Sequence, residues 1–88
     1  MNITFDSTKD DANQIKHGCS LSDAHFIEWE TLVFKLDDRF HYGEIRFVGY
    51  AYIGLRLYCV VYTDRDDQRR IISLRKANNR EIKNYAST

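Results

Sequence analysis

The chain has 88 residues, of which 43% are hydrophobic and 14% aromatic. This is enough for one small core but too little for two, so we expect a single domain over residues 1–88. No apolar run approaches the ~20 residues that a membrane-spanning helix needs, which excludes a transmembrane anchor of that kind. The first segment, "MNITFDSTKDD", is acidic and is not typical of a secretory signal. We therefore expect a cytoplasmic protein with no membrane partner.

The formal net charge of zero conceals an asymmetry between the two halves of the chain. Residues 1–38 carry three basic and eight acidic side chains (3 − 8 = −5), whereas residues 39–88 carry ten and five (10 − 5 = +5). Residues 65–83 hold seven basic side chains against three acidic ones. Such asymmetry is typical of proteins that bind nucleic acid or an acidic protein. Mutual neutralisation of the two halves within the fold explains the composition equally well.

The cysteines and histidines do not form a recognisable metal motif. Cys19 and Cys59 lie outside any C-x-x-C pattern and are expected to be free thiols. A site built from the three histidines and Cys19 would lack the closely spaced ligand pairs of zinc motifs. We therefore predict no metal site and no cofactor.

The first third of the chain predicts a short strand followed by two helices. "ITF" is a strand candidate, and Ser7 is a possible N-cap for a helix from about Thr8 to His17. Gly18 then occupies the position where helices commonly end in a left-handed residue. The segment "CSLSDAHFIEWE" predicts a second helix, with Ser20 or Ser22 as its N-cap.

The remainder of the chain predicts four strands and a last helix. The strands are "TLVFKLDD", "EIRFVGYAYI", "LRLYCVVYT" and "RRIISLR", and their short connections favour an antiparallel meander. Asn78 is a plausible N-cap for a helix over 79–85, in which Ile82 and Tyr85 would face inward. We predict an α+β domain: an antiparallel sheet of four to five strands packed against two N-terminal helices, with a C-terminal helix.

Alternation along the predicted strands suggests which side chains share a face. In the second long strand, Ile45, Phe47 and Ala51 are assigned to the core. The opposite face would carry Tyr42, Glu44, Arg46 and Tyr50. In the last strand, the same rule places Ser73 and Arg75 with Ile71, and Ile72 with Leu74 on the other side.

Two groups of side chains are candidates for chemistry. Residues 37–46, "DDRFHYGEIR", combine Arg39, His41, Glu44 and Arg46, which suits acid–base chemistry beside phosphate-binding cations. The same residues also suit a polar hairpin turn with an ion pair across it. The arginines of residues 65–83 match phosphate oxygens, and nearby tyrosines could stack on unpaired bases. The structural alternative is a solvated strand end.

Several stretches together carry a resemblance to a known family. They keep the family's order and cover nearly the whole chain: "FD" at 5–6, "NQIKHGCSL" at 13–21, "DDRFHYGEIRF" at 37–47, "VVYTDR" at 60–65 and "RIISLRKANNREIKNY" at 70–85. In these the chain resembles the BrnT family of bacterial toxins, small ribonucleases of type II toxin–antitoxin systems with a RelE-like fold. It departs from the family pattern at Leu74, where a small residue is common, and in a short link without proline before the first long strand.

The resemblance implies RNA cleavage and a cognate antitoxin of BrnA type with a ribbon-helix-helix part. The complex of toxin and antitoxin would bind DNA only through that part of the antitoxin. Metal-independent cleavage needs a base, cations for the charged phosphorane and an acid for the leaving oxygen. On the RelE-like pattern, Arg46, Arg65 and Arg75 are assigned to the phosphate and Glu44 to proton transfer or to orienting an arginine, with His41 in reserve. The predicted RNA-binding residues are Arg39, Arg69, Lys76 and Arg80. The alternative is a non-catalytic RNA-binding or protein-binding module that retains the fold.

Overall fold

The computed structural model describes residues 1–39 and 41–88; Phe40, which belongs to the predicted 37–46 group, lies outside the described residues. Within them the chain forms five strands, two α-helices and one 3-10 helix. Their order is β1 (Asn2–Thr4), α1 (Ser7–His17), the 3-10 helix (Leu21–Phe26), β2 (Glu28–Leu36), β3 (Phe47–Ile53), β4 (Arg56–Arg65), β5 (Gln68–Lys76) and α2 (Asn79–Ala86). No helix in this part of the chain is long and apolar enough to cross a membrane.

The five strands form one mixed sheet in the order β1-β5-β4-β3-β2. The antiparallel meander predicted for the four long strands is confirmed by the pairing of β2 to β5. The prediction of a purely antiparallel sheet is wrong at one edge, because β1 pairs in parallel with β5. Here α1 and the 3-10 helix carry the chain across the sheet, so that β1 and β2 lie at opposite edges.

One of the two predicted N-terminal helices is a true α-helix. The N-cap of α1 is Asp6 rather than Ser7, and α1 ends at Gly18 with φ +69°, as predicted. The second predicted helix is wrong beyond Phe26: a six-residue 3-10 helix, capped by Ser20, gives way to β2. The aromatic and β-branched residues that follow pair with β3, and this tertiary pairing overrides the local helical pattern.

The core lies under the face of the sheet that α1 and the 3-10 helix cover, which we call the core face. Its buried side chains are Leu21, Ala24, Ile27, Ala51, Val60, Tyr62, Ile71 and Leu74. Buried Asn13 of α1 bonds to the middle of β5: its Nδ2 donates to the carbonyl oxygens of Leu74 and Cys19, and its Oδ1 accepts from the Leu74 N–H. A single side chain thereby satisfies three backbone groups and fixes α1 on the sheet.

A β-bulge in β5 changes which side chains share a face. Val61 pairs with Ser73, but the next residue of β4, Tyr62, pairs with Ile71, so Ile72 is an extra residue. An extra residue shifts the alternation by one, and both Ile71 and Leu74 therefore lie in the core. The strict alternation that we predicted for this strand is wrong before the bulge.

The opposite face of the sheet, which we call the groove face, is partly covered by α2. The Tyr85 hydroxyl donates to the Thr31 carbonyl, and the Tyr85 ring meets Tyr52 edge to face. Asn78 is the N-cap, as predicted. Ile82 is exposed, so its predicted inward orientation is wrong. Ile45 is also exposed, because β3 begins only at Phe47 and the predicted alternation does not reach back to it.

Candidate active site

Three shallow clefts adjoin one another around the groove face and form what we call the basic groove. The first is lined by Asp37, Arg39, Tyr50, Arg75 and Glu81, together with neighbouring residues of β2 and β3. The second is lined by residues 36–38 and 41–46, and the third by Thr4, Glu44, Thr63, Arg65, Gln68 and Arg70. Asp37 borders the first two clefts and Glu44 the last two, so the path is continuous.

At one end of the groove, Arg75 forms a bidentate ion pair with Glu81. Arg75 Nη1 donates to Glu81 Oε1 at 2.8 Å and Nη2 to Oε2 at 2.9 Å. The same carboxylate accepts from the Tyr50 hydroxyl at 2.9 Å and from the Asn78 N–H at 2.9 Å. These bonds, that of Arg75 above all, lower the pKa of Glu81 to about 2. Burial, followed by the bond to Glu81, raises the pKa of Tyr50.

Asp37 organises the middle of the groove. Its side chain is only 1% exposed, and it accepts from Arg39 Nε at 2.8 Å and Nη2 at 3.0 Å. The Tyr42 hydroxyl donates to the same carboxylate at 3.2 Å. The hydrogen bond from Arg39 is the largest cause of the low pKa of Asp37, which is about 2. A buried carboxylate thus fixes one arginine and one tyrosine in the segment that precedes β3.

Glu44 and Arg46 lie side by side in the same segment. Arg46 Nε donates to Glu44 Oε2 at 2.9 Å, and the guanidinium carbon lies 4.0 Å from the centre of the Tyr42 ring. The structural interpretation of this segment expected an ion pair across the hairpin, whereas the two ion pairs that form, Arg39–Asp37 and Arg46–Glu44, each join residues two apart on the same side of the turn. The two side chains nevertheless border clefts that also hold His41, Arg65 and Arg70, so the ion pair lies within the groove.

Arg65 of β4 and Arg70 of β5 both line the third cleft. Arg70 pairs with Thr63 in the sheet register, and the Thr63 hydroxyl donates to the Ile45 carbonyl at 2.6 Å. Both arginines are exposed, and neither guanidinium makes a hydrogen bond or ion pair with any residue of 1–39 or 41–88. Their guanidinium donors are therefore available to an anion.

The structure brings most of the predicted site residues together. The groove holds Glu44, Arg46, Arg65 and Arg75 of the predicted catalytic set, and Arg39 of the predicted RNA-binding set. Lys76 and Arg80 are exposed at the junction of β5 and α2, outside these three clefts.

Arg69 does not join them, because it lies on the core face. Its guanidinium carbon is 4.3 Å from the centre of the Tyr62 ring and 4.7 Å from that of Trp29. Arg69 Nε and Nη2 also donate to the Asp64 carboxylate at 2.8 and 2.9 Å. These contacts give Arg69 a structural role in the packing of β2, β4 and β5.

Sequence reasoning missed Asp37, Arg70 and Glu81 as members of the site. Glu81 had a visible signal, since it stands three residues after Asn78 in the spacing of a capping box. Arg70 was one of the seven basic side chains of residues 65–83, but its place in the groove depends on the bulge. Among the described residues, no group of three or more His, Cys, Asp or Glu side chains is arranged to hold a metal ion.

Comparison with known proteins finds a matching family and a solved structure with a similar fold. The family described as "Ribonuclease toxin, BrnT, of type II toxin-antitoxin system" matches residues 5–81. The crystal structure of the Brucella abortus ribonuclease toxin BrnT superimposes with a TM-score of 0.68 at 23% identity, covering 90% of this chain and 99% of that one. That likeness shows a shared fold, and no curated protein sequence matches. Since the family match spans nearly the whole chain, the chain belongs to the BrnT family of ribonuclease toxins of type II toxin–antitoxin systems.

Proposed function

We propose that this chain is a metal-independent endoribonuclease that cleaves RNA in the basic groove and is neutralised by a BrnA-type antitoxin. The observation that carries the proposal is the row of guanidinium groups along one continuous groove, from Arg75 through Arg39 and Arg46 to Arg65 and Arg70. Arginine forks match the oxygens of successive phosphates and retain their charge at every physiological pH.

The proposed reaction is attack by a ribose 2′-oxygen on the adjacent phosphate. A base removes the 2′-hydroxyl proton, the new O–P bond forms, and the bond to the 5′-oxygen breaks as that oxygen receives a proton. Glu44 is the proposed base, because its carboxylate borders two clefts and only one of its oxygens is bonded to Arg46. His41, in the second cleft, is the reserve base.

The arginines stabilise the extra negative charge of the phosphorane. Arg46 is oriented by Glu44 and by the Tyr42 ring, and Arg75 by Glu81. Guanidinium groups that are already oriented require little reorganisation as charge develops, which is the basis of electrostatic catalysis. Arg65 is proposed to contact the same phosphate from the third cleft.

RNA binding on either side of the cleaved bond is assigned to Arg39 and Arg70. Arg70 takes the place that the sequence prediction gave to Arg69, because Arg70 lies in the groove and Arg69 is bound to Asp64 on the core face. Lys76 and Arg80 are proposed to contact phosphates beyond the groove.

The antitoxin is proposed to be of BrnA type, with a ribbon-helix-helix part that carries all contacts with DNA. An acidic segment of this partner would complement the groove, since opposite charges favour fast association. The family supports an antitoxin partner in general. We place the pair in the cytoplasm, where RNA and DNA are both accessible.

Purified protein tests the proposal directly. The wild type should cleave RNA in excess EDTA, and Arg46→Ala and Arg75→Ala should each lose about 10²–10³ in rate, by analogy with a lost oxyanion donor. Lys9→Ala, on the exposed side of α1, is the matched control for loss of one cation. If folded Arg46→Ala and Arg75→Ala variants cleave RNA at the wild-type rate, the site is elsewhere. Loss of cleavage in EDTA, restored by a divalent ion, would overturn metal independence, and RNA binding without cleavage would favour the non-catalytic module.

A further inference from the structure

Arg75 uses one of its two hydrogen-bonding forks and leaves the other open. Its Nη1 and Nη2 both donate to Glu81, and Nη1 also reaches the Lys76 carbonyl at 3.3 Å. Across residues 1–39 and 41–88, no acceptor engages the Nε–H or the second hydrogen of Nη2. These two donors form a side-on fork of the kind that binds two oxygens of one phosphate.

The position of Glu81 is itself fixed from two directions. The Asn78 N–H donates to Oε1 and the Tyr50 hydroxyl to Oε2, while Glu81 forms part of the capping box that begins α2. The Glu81 side chain is only 13% exposed. A side chain held in this way has one orientation, and its bidentate contact transmits that orientation to the guanidinium plane of Arg75.

We propose that Glu81 is a positioning residue for RNA cleavage, one that holds Arg75 so that its free fork points to the phosphate under attack. The inference rests on the proposed function. Glu81 touches neither the RNA nor the reacting atoms. Without it, the long Arg75 side chain would sample several rotamers and would have to be ordered during the reaction. Tyr50 acts indirectly, because its hydroxyl helps to hold the Glu81 carboxylate that orients Arg75.

Glu81 also caps α2, and the test must separate the two roles. Asn78→Ala removes the side-chain half of the capping box, the bond from the Glu81 N–H to Asn78 Oδ1, and leaves the contact between Arg75 and Glu81 in place. It is therefore the matched control for a weakened helix. Glu81→Gln keeps the shape of the side chain but removes the charge and one of the two acceptors for Arg75.

The experiment measures kcat, KM and Tm on one RNA oligonucleotide for the wild type, Glu81→Gln, Asn78→Ala, Tyr50→Phe, Arg75→Lys and the Arg75→Lys/Glu81→Gln double variant. We expect Glu81→Gln to lower kcat about tenfold with KM within about twofold, because misorientation affects the transition state more than binding. Tyr50→Phe should lower kcat less. Asn78→Ala should lower Tm and leave kcat within about twofold. In the Arg75→Lys background, Glu81→Gln should have almost no further effect, because lysine has no fork to orient.

Three results would overturn the inference while the proposed function stands: wild-type kcat in Glu81→Gln, equal kcat losses in Glu81→Gln and Asn78→Ala, or a full tenfold loss from Glu81→Gln in the Arg75→Lys background. If the folded wild type cleaves no RNA, the proposed function fails and the inference fails with it. The two failures are therefore distinguished by the wild-type rate alone.

Discussion

Arg70 and Arg75 face the same side of the sheet although they are five positions apart in one strand. In an uninterrupted strand, residues five apart lie on opposite faces. The extra residue Ile72 restores the match, since Arg70 pairs with Thr63 and Arg75 with Cys59, which are four residues apart in β4. The bulge thus places two arginines of β5 in the groove and turns Arg69 toward the core.

This arrangement predicts that neighbouring arginines differ in role. Arg70→Ala should weaken binding of single-stranded RNA by roughly tenfold, about 1.5 kcal/mol, and should reduce the slope of log affinity against log salt by about 0.7. Arg69→Ala should instead lower the free energy of unfolding by about 1–2 kcal/mol, because it loses the stacking on Tyr62 and the bonds to Asp64. Fluorescence anisotropy across a salt series and urea unfolding measure the two quantities. If Arg69→Ala lost more RNA affinity than Arg70→Ala, the assignment of faces to functions would be wrong.

The buried carboxylate of Asp37 predicts a pH dependence of stability. Its pKa is lowered from 3.8 to about 2 in the folded protein, so its contribution is complete above about pH 4 and is lost as the pH falls toward 2. Because Arg39 is largely exposed, we expect this contribution to be on the order of 1 kcal/mol. In urea unfolding at several pH values from 7 to 2, the free energy of unfolding should fall more steeply with decreasing pH for the wild type than for Asp37→Asn. Parallel curves for the two proteins would contradict this role.

Asn13 is predicted to be more important for stability than its polar character suggests. Asn13→Ala would leave the Leu74 N–H, the Leu74 carbonyl and the Cys19 carbonyl without their buried partner. We expect a loss of about 2–4 kcal/mol in the free energy of unfolding. Gln14→Ala, the exposed neighbour on α1, is the control and should change it by less than about 0.5 kcal/mol. Similar losses in both variants would show that the bonds of Asn13 add little.

The antitoxin should bind with a rate that depends on salt. If it covers the basic groove, the association rate constant should fall steeply as salt rises, while dissociation depends mainly on apolar contacts. Arg65→Glu and Arg70→Glu should slow association most, because these two arginines have no carboxylate partner among the described residues. Stopped-flow mixing with the cognate antitoxin measures this. Unchanged rates in both variants would place the antitoxin on another surface.

Local signals in the sequence predicted where α1 ends and where α2 begins. Gly18 after α1 and Asn78 before α2 act through their own backbone and side-chain atoms, so a few neighbouring residues suffice to reveal them. The four antiparallel strands were also predictable, because short connections leave few alternatives. Arg46 and Arg75 were candidates because they stand in locally charged stretches, and the resemblance to the family assigned them to the phosphate.

What the sequence did not predict depends on contacts between distant segments. The bulge at Ile72 results from pairing between β4 and β5, and no residue type at that position announces it. The pairing of residues from Glu28 onward with β3 replaces a helical pattern that looks convincing on its own. Contacts between distant segments also place Arg70 in the groove and pair β1 in parallel with β5.

The pairing of β1 with β5 joins the first and the last of the five strands in chain order. The sheet cannot be completed until residues Gln68–Lys76 have been translated, since β5 lies between β1 and β4. Contacts of such large sequence separation form late, and the strand that closes the sheet also carries Arg70 and Arg75. A chain that stops before β5 therefore lacks both arginines of this strand and has no complete groove.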